Sequence, residues 1–404
     1  MGHDVFAYHS LRPTIESVSR LSPQFHRIQM PRRKSGEDMF ARLVAKEATK
    51  LARESTREPN SSEEAERVVQ ETVRDFVAAV RSGIAASGDD SADAMDLKTR
   101  SLLRRARAGR QGFERRLRSI WKDGFDRLEV LIGFYTEIGE HFLRDGMALG
   151  QKDTARFRAL VELHARGARV AREIFCLMQA GFGDGAFARW RTLYELSVVT
   201  RFIAKHGEDV ASRYLQHIAI RSAKAARQFN EHATAIGWER ESAHVVAQLA
   251  SRSQDVADRF GDDFGNEYGW ASKVLGNRKP NFAVLARDIG WDHWRPFYSW
   301  ASGGVHAGPD GLLPMGAKGH GSDYLLVGAS NAGLADPGQF TALALAQILR
   351  SLNLQGQRMD YESFIVTIDA LVVRCQAALI AANREVEARS TRSTTGTNES
   401  DRKI

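Results

Sequence analysis

Two stretches hold residue types that could do chemistry together. In Arg189–Ile203, Arg191 and Glu195 stand four apart, so a helix sets them on one side within pairing distance. Much later, Tyr298, Ser302 and His306 repeat the four-residue step, which again marks one helix face. A histidine can act as base or acid near neutral pH, and an arginine can hold an anionic group. A composite site follows, with Arg191, Glu195, Tyr298, Ser302 and His306 as candidate catalytic residues converging between helices. The same residue types also suit a buried polar network that only ties helices together. Residue types and spacing leave both readings open.

The elements that must position these groups are helical. Trp190, Leu193, Tyr194, Leu196, Val198, Val199, Phe202 and Ile203 give the first stretch a wide apolar face. Burial of that face puts the Arg191–Glu195 pair where desolvation is costly without further partners, and the Tyr298–His306 stretch is the natural source of them. Thr154 to Ala180 reads as a long helix, and Gly181-Phe-Gly-Asp-Gly185 as the tight turn joining it to the Arg191 helix. Those two helices are expected to be antiparallel neighbours. Asp209–His232 and Glu239–Arg259 read as further helices, and Gly261–Asn277 as an aromatic irregular stretch. Phe340–Asn353 and Tyr361–Glu385 read as closing helices. Between 303 and 338 ten glycines appear, and two short apolar runs, 311–314 and 324–327, suggest a small β-hairpin.

The expected fold is mainly α: a helical bundle with an N-terminal helical hairpin and a small β-hairpin insertion. The expected division is an irregular arm over 1–34, a helical hairpin over 35–81 and a linker over 82–97. A basic helical connector over 98–122, a bundle core over 123–387 and a disordered tail over 388–404 follow.

The 404 residues are 43% hydrophobic and 26% charged, which is ordinary for a soluble globular chain. The net charge of +7 is uneven. From Lys98 to Arg118 there are nine basic residues against one acid, Glu114, so the rest of the chain is close to neutral. Such a stripe suits RNA or another anionic partner, with Arg104, Arg105, Arg107, Arg115 and Arg116 as the candidate nucleic-acid contacts. A solvated helix face is the plainer reading of the same run. Cys176 and Cys375 lie in apolar helical patterns, as buried thiols of a reducing compartment do. Residues 1–30 show no signal-peptide pattern, and the apolar window Phe364–Ala382 contains Asp369 and Arg374. The expectation is a cytoplasmic protein that avoids membranes. A homodimer is compatible with this organisation.

Several familiar motifs fail. Gly311-Leu-Leu-Pro-Met-Gly316-Ala-Lys318 approaches a phosphate loop, but its lysine comes one residue late and no Ser or Thr follows. No cluster has zinc spacing, and no Gly-x-Ser-x-Gly elbow occurs. Neither a metal nor a cofactor is expected.

The pairing of Arg191-x-x-x-Glu195 with Tyr298-x-x-x-Ser302-x-x-x-His306 resembles a bacterial family, domain of unknown function 5677. The intervening Arg213-Tyr214 helix and the later Gly333-Leu-Ala-Asp-Pro-Gly338 segment fit it too, over roughly Leu128 to Glu385. Such proteins look like the HEPN helical superfamily. That implies a metal-independent ribonuclease as one activity, often a toxin or phage-defence effector. The superfamily's signature is an Arg followed, four to six residues later, by a His. Arg201 with His206 and Arg158 with His164 match it, but Phe202 and Ala159 stand where active members carry a polar residue. His206 precedes Gly207 and reads as a helix-end residue. Two functions are therefore carried forward. One is a non-catalytic binding or sensing module. The other is a HEPN-like endoribonuclease using His306 as base, Arg191 on the phosphate and Glu195 as orienter.

Overall fold

Leu128, Leu131, Ile132, Tyr135, Ile138 and Phe142 recur at three- and four-residue steps, and all are buried. They line one face of the helix α1, Ser62–Ala148, in a computed structural model that describes residues 62–306, 308–309, 326–353 and 359–400. Among the described residues every regular element is helical, so the chain is mainly α. The expected β-hairpin, the arm over 1–34 and the first half of the hairpin over 35–81 lie outside the described residues, apart from Leu326 and Val327, which belong to no strand.

Residues 82–97 are helical and form part of α1, which corrects the expected linker. Ala85, Ala86, Ala92 and Ala94 favour helix strongly enough to offset Gly83 and Gly88, and no proline stands between Pro59 and Pro280 to stop it. Gly109 and Gly112 do not interrupt it either. The backbone divides into two compact units, whose described parts are 62–112 in the first and the rest, from Phe113 on, in the second.

In the second unit, α2 (Ala155–Gln179) packs along α3 (Gly183–His206), and α10 (Ala335–Asn353) lies against both. Helix α11 (Met359–Ser400) packs on α10 and runs through most of the 388–404 segment expected to be a disordered tail. Its Ile368, Val372, Cys375 and Leu379 face the core, whereas Val366 and Val373 are exposed. Of the two thiols, Cys375 is buried, and burial pushes it up to about 12. Cys176 is exposed, contrary to expectation, because it falls one step off the inward stripe of Ile174, Phe175 and Met178.

Helix ends are fixed by specific groups. Thr154 caps α2 by accepting from the Phe157 amide at 3.3 Å, and the Glu208 carboxylate takes the Ala155 and Arg156 amides at 2.7 and 2.9 Å. The helix expected over Asp209–His232 is two, α4 (Glu208–Gln216) and α5 (Ile218–His232). They part at His217, whose ring nitrogen lies 2.9 Å from the Asn266 carbonyl. The remaining elements are α6 (Ala243–Phe260), α7 (Ser272–Leu275), α8 (Phe282–Asp288) and α9 (Arg295–Gly303).

The turn between α2 and α3 uses Gly181 at φ 81, and its carbonyl accepts from the Ser330 amide at 2.8 Å. A Cβ on Gly183 would stand 2.7 Å from the Gly333 carbonyl oxygen, a backbone atom that cannot rotate aside. Gly183→Ala is expected to destabilise by roughly 1–3 kcal/mol, the usual range for overpacking, measured by thermal denaturation. Gly109→Ala, with nothing within 4 Å of its Cβ, is expected to stabilise slightly by restoring helix propensity. Equal effects of the two substitutions would overturn this account of Gly183.

Candidate functional site

The sequence places Arg191 and Glu195 on α3 because their neighbours Trp190, Leu193, Tyr194 and Val198 are buried and orient the helix. Helix α9 is laid against α3 by the Tyr194–Tyr298 ring contact, centroids 5.8 Å apart, and by the segments just before it. The Tyr194 hydroxyl donates to the Trp291 carbonyl at 2.6 Å, and the Tyr298 ring stacks on Phe282 with centroids 5.0 Å apart. A Cβ on Gly304 would meet Ala188 and the Asp184 carbonyl at 3.3 and 3.5 Å, so a glycine there lets the turn after α9 approach α3 closely.

Arg191, Glu195, Tyr298 and His306 are brought together. The Tyr298 hydroxyl donates to Glu195 Oε1 at 2.6 Å, and Arg191 Nε donates to the same oxygen at 3.2 Å. The guanidinium lies 4.6 Å from the centroid of the Tyr298 ring, a cation–π contact. Arg191 Nη1 is 3.5 Å from His306 Nε2, at the outer edge of hydrogen bonding. Since arginine only donates, Nε2 is the acceptor wherever this contact is a hydrogen bond. His306 lies just past α9, exposed, with its amide donating to the Ser302 carbonyl at 3.1 Å. The Ser302 hydroxyl donates to the Tyr298 carbonyl at 2.8 Å, so its proton is held on its own helix rather than in the cluster.

The electrostatics favour a fixed donor–acceptor pattern. Burial, followed by the Glu195 hydrogen bond, pushes the Tyr298 phenol up to about 12 against the opposing pull of Arg191, so it stays a donor. For Arg191, burial works against the charge, but Tyr298 and Glu195 outweigh it and raise its pKa. The Arg191 and Glu195 side chains remain 24% and 33% exposed, so a solute can reach the rim of the cluster.

The two short Arg/His pairs fare differently. His206 Nε2 sits 2.7 Å from Asp288 Oδ2, and Lys205 joins the same carboxylate at 3.0 Å, which ties the end of α3 to α8. Burial alone would raise Asp288, but His206 and Lys205 hold it below the usual range. His164 is buried, while Arg158 is on the surface bonded to Glu162 at 3.0 Å. Neither pair presents an open Arg–His site.

Among the basic candidates, Arg104, Arg105 and Arg107 are exposed on the part of α1 in the first unit. Arg115 and Arg116 are exposed in the second. No group of three metal-ligating side chains occurs among the described residues.

Sequence reasoning missed Tyr268 and Arg213. Burial first, then Glu195, raises the Tyr268 phenol, which places it in the field of the cluster. Arg213 is only 4% exposed. No local signal marked it: Val210, Arg213 and His217 stand at helical spacing, but the burial of the two polar residues shows only in the fold.

Residues 157–321 match the model of a family described as Family of unknown function (DUF5677). The matched segment holds Arg191, Glu195, Tyr298, Ser302 and His306 and stops short of the basic stripe over 98–118. Neither a curated protein nor a solved structure matches the chain.

Proposed function

We propose that this chain, a DUF5677 family member through residues 157–321, is a cytoplasmic, non-catalytic binding or sensing module. The observation that carries the reading is the closed circuit of Arg191, Glu195 and Tyr298. Donors and acceptor are spent on one another across α3 and α9, and the exposed His306, at 3.5 Å from Arg191 Nη1, stands at the rim where a partner would meet it. A set so satisfied holds helices in register and costs energy to open for catalysis. The exposed arginines over 98–118 add a surface for an anionic partner, and RNA is the probe that fits it.

The second reading is a metal-independent endoribonuclease of HEPN-like type. It is favoured by the 3.5 Å approach of Arg191 to His306. The guanidinium would turn to the phosphate and stabilise its charge, and the imidazole nitrogen it leaves would take the 2′-hydroxyl proton as that oxygen attacks the adjacent phosphorus. The 5′-oxygen then leaves as a hydroxyl, taking a proton from water, and a 2′,3′-cyclic phosphate remains.

One experiment separates them. Labelled single-stranded RNA is incubated with the protein in EDTA and run on native and denaturing gels. The expected result is a shift that weakens steeply with salt, a flatter salt slope for the Arg104, Arg105 and Arg107→Gln variant, and intact RNA. Cleavage to cyclic-phosphate ends that drops about a hundredfold in His306→Ala, the usual scale for a lost base, and persists in His206→Ala would establish the nuclease instead. RNA neither shifted nor cut would remove RNA as the partner.

A further inference from the structure

We propose that a pocket built around Arg213 binds the oxyanion group, phosphate or carboxylate, of a small molecule. The pocket has a volume of about 300 Å³ and is lined by Arg213, Phe260, Asp263, Lys273, Asn277 and Arg278, together with Gly261, Ser272 and Gly276. None of the residues of the Arg191 cluster lines it. The inference therefore stands whichever reading of that cluster holds.

The decisive residue is Arg213. It is 4% exposed, and its guanidinium lies over the rings of Phe260 and Phe264 at 4.7 and 5.2 Å. Its Nε donates to the Trp270 carbonyl at 3.1 Å. These contacts fix the plane of the group and use one of its nitrogens. The two Nη groups have no protein hydrogen bond among the described residues, yet they are not sealed off from solvent, because Arg213 contributes to the pocket wall. A buried cation with its fork unspent is costly to maintain, and the aromatic faces offset only part of that cost. A planar fork of N–H donors matches two oxygens of a phosphate or carboxylate at once.

The surroundings support the same charge. Lys273 and Arg278 are the other cations of the wall, and Asp263 is its one acid. Arg278 Nε holds both Asp263 oxygens at 3.1 Å, and Lys273 holds Asp209, behind it, at 3.2 Å. With Asp263 closed by Arg278, only Asp209, which Lys273 already engages, acts on the Arg213 charge, and no carboxylate meets its fork. A single bound anion would neutralise that charge. The elements around it are all short or terminal: the end of α6, the turn at Gly261, and α7 with Gly276 behind it. Helix α7 is too short to act as an anion site by its own dipole, so the side chains carry the recognition.

The test uses the full chain titrated calorimetrically with inorganic phosphate, with acetate and with urea as a neutral control, together with melting curves in each. Saturable binding of phosphate or acetate, with a raised melting temperature and no response to urea, is the expected result. The tighter of the two anions identifies the group. Arg213→Lys keeps the charge but loses the fork, and it should weaken binding by about tenfold or more. A substitution at that buried side chain costs stability, so Lys273→Gln, where the wild-type side chain is 68% exposed, serves as the second variant. It should fold normally and weaken binding several-fold. Absence of saturable binding by both anions, or binding indifferent to both substitutions, would overturn the proposal.

Discussion

Trp190→Ala lowers the stability of the folded chain by about 3–5 kcal/mol, the range for emptying a large aromatic site in a core. Trp190 is 2% exposed and stands at the centre of a row of rings. Phe187 and Tyr194 stack on it along α3, with centroids 5.3 and 5.6 Å away, and Phe340 of α10 reaches it at 5.1 Å. Phe340 in turn touches Phe297 of α9 at 4.6 Å. Trp190 and Phe340 together thus join three helices, and the side chains around them are too tightly interleaved to collapse into the space. Tyr194 donates to the Trp291 carbonyl and leans on Tyr298, so the cavity also loosens the seat of the Arg191 cluster. The indole N–H of Trp190 has no acceptor among the described residues, and a buried donor without one is itself a cost. Trp190→Phe therefore costs clearly less than Trp190→Ala, because the stack survives and the stranded donor is gone. Denaturant unfolding of the three proteins decides the matter. Similar losses for Phe and Ala would show that the ring stack is not what holds the three helices.

The same residue explains why the centre of the fold was legible. The apolar positions of Arg189–Ile203 recur at helical spacing, so their burial could be read directly, and a charge pair on that helix had to find partners. The four-residue steps at Tyr298, Ser302 and His306 then indicated the second helix. Tyr298 and His306 reach the cluster, whereas Ser302 is turned back to its own backbone. A spacing pattern fixes which face a residue occupies but not which acceptor its hydroxyl will choose. The continuity of α1 was misread because the run over 82–97 is small, polar and acidic, with glycines at 83 and 88. Each costs only about 1 kcal/mol, which a run of good helix formers absorbs. Arg213 was missed for a different reason. Its partners are Phe260, Phe264 and Trp270, from elements that come together only in three dimensions, so the local pattern showed an ordinary helical arginine. Likewise, His217 ends α4 through a carbonyl at Asn266, a contact that no local periodicity announces.

Acid is expected to destabilise the protein between about pH 6.5 and pH 4, and His164 is the main cause. Its ring is 5% exposed and stacks on Tyr135 with centroids 3.9 Å apart and planes 10° from parallel. The Tyr135 hydroxyl donates to the His164 carbonyl at 3.1 Å, and a Cβ on Gly139 would stand 2.1 Å from the ring, so the imidazole is closely boxed between α1 and α2. Its Nε2 has no partner among the described residues. Burial therefore drives the pKa down to about 4, with a contact to the Tyr135 backbone opposing only in part. The unfolded chain takes up this proton near pH 6.5, whereas the native protein refuses it until about pH 4. Above 6.5 the histidine is neutral in both states and the native state keeps its full stability. As pH falls through this window, the unfolded state alone gains the proton. The loss grows to about 3 kcal/mol by pH 4, at 1.36 kcal/mol per pKa unit. His217, also lowered chiefly by burial, pulls in the same direction. Unfolding free energies measured at pH 7 and pH 4.5 for wild type and His164→Gln give the test. The variant starts from lower stability, because glutamine cannot reproduce the stack on Tyr135, but its loss between the two pH values should be smaller by most of the His164 contribution. If it loses as much as the wild type, the proton is taken up elsewhere and the boxed imidazole does not govern acid stability.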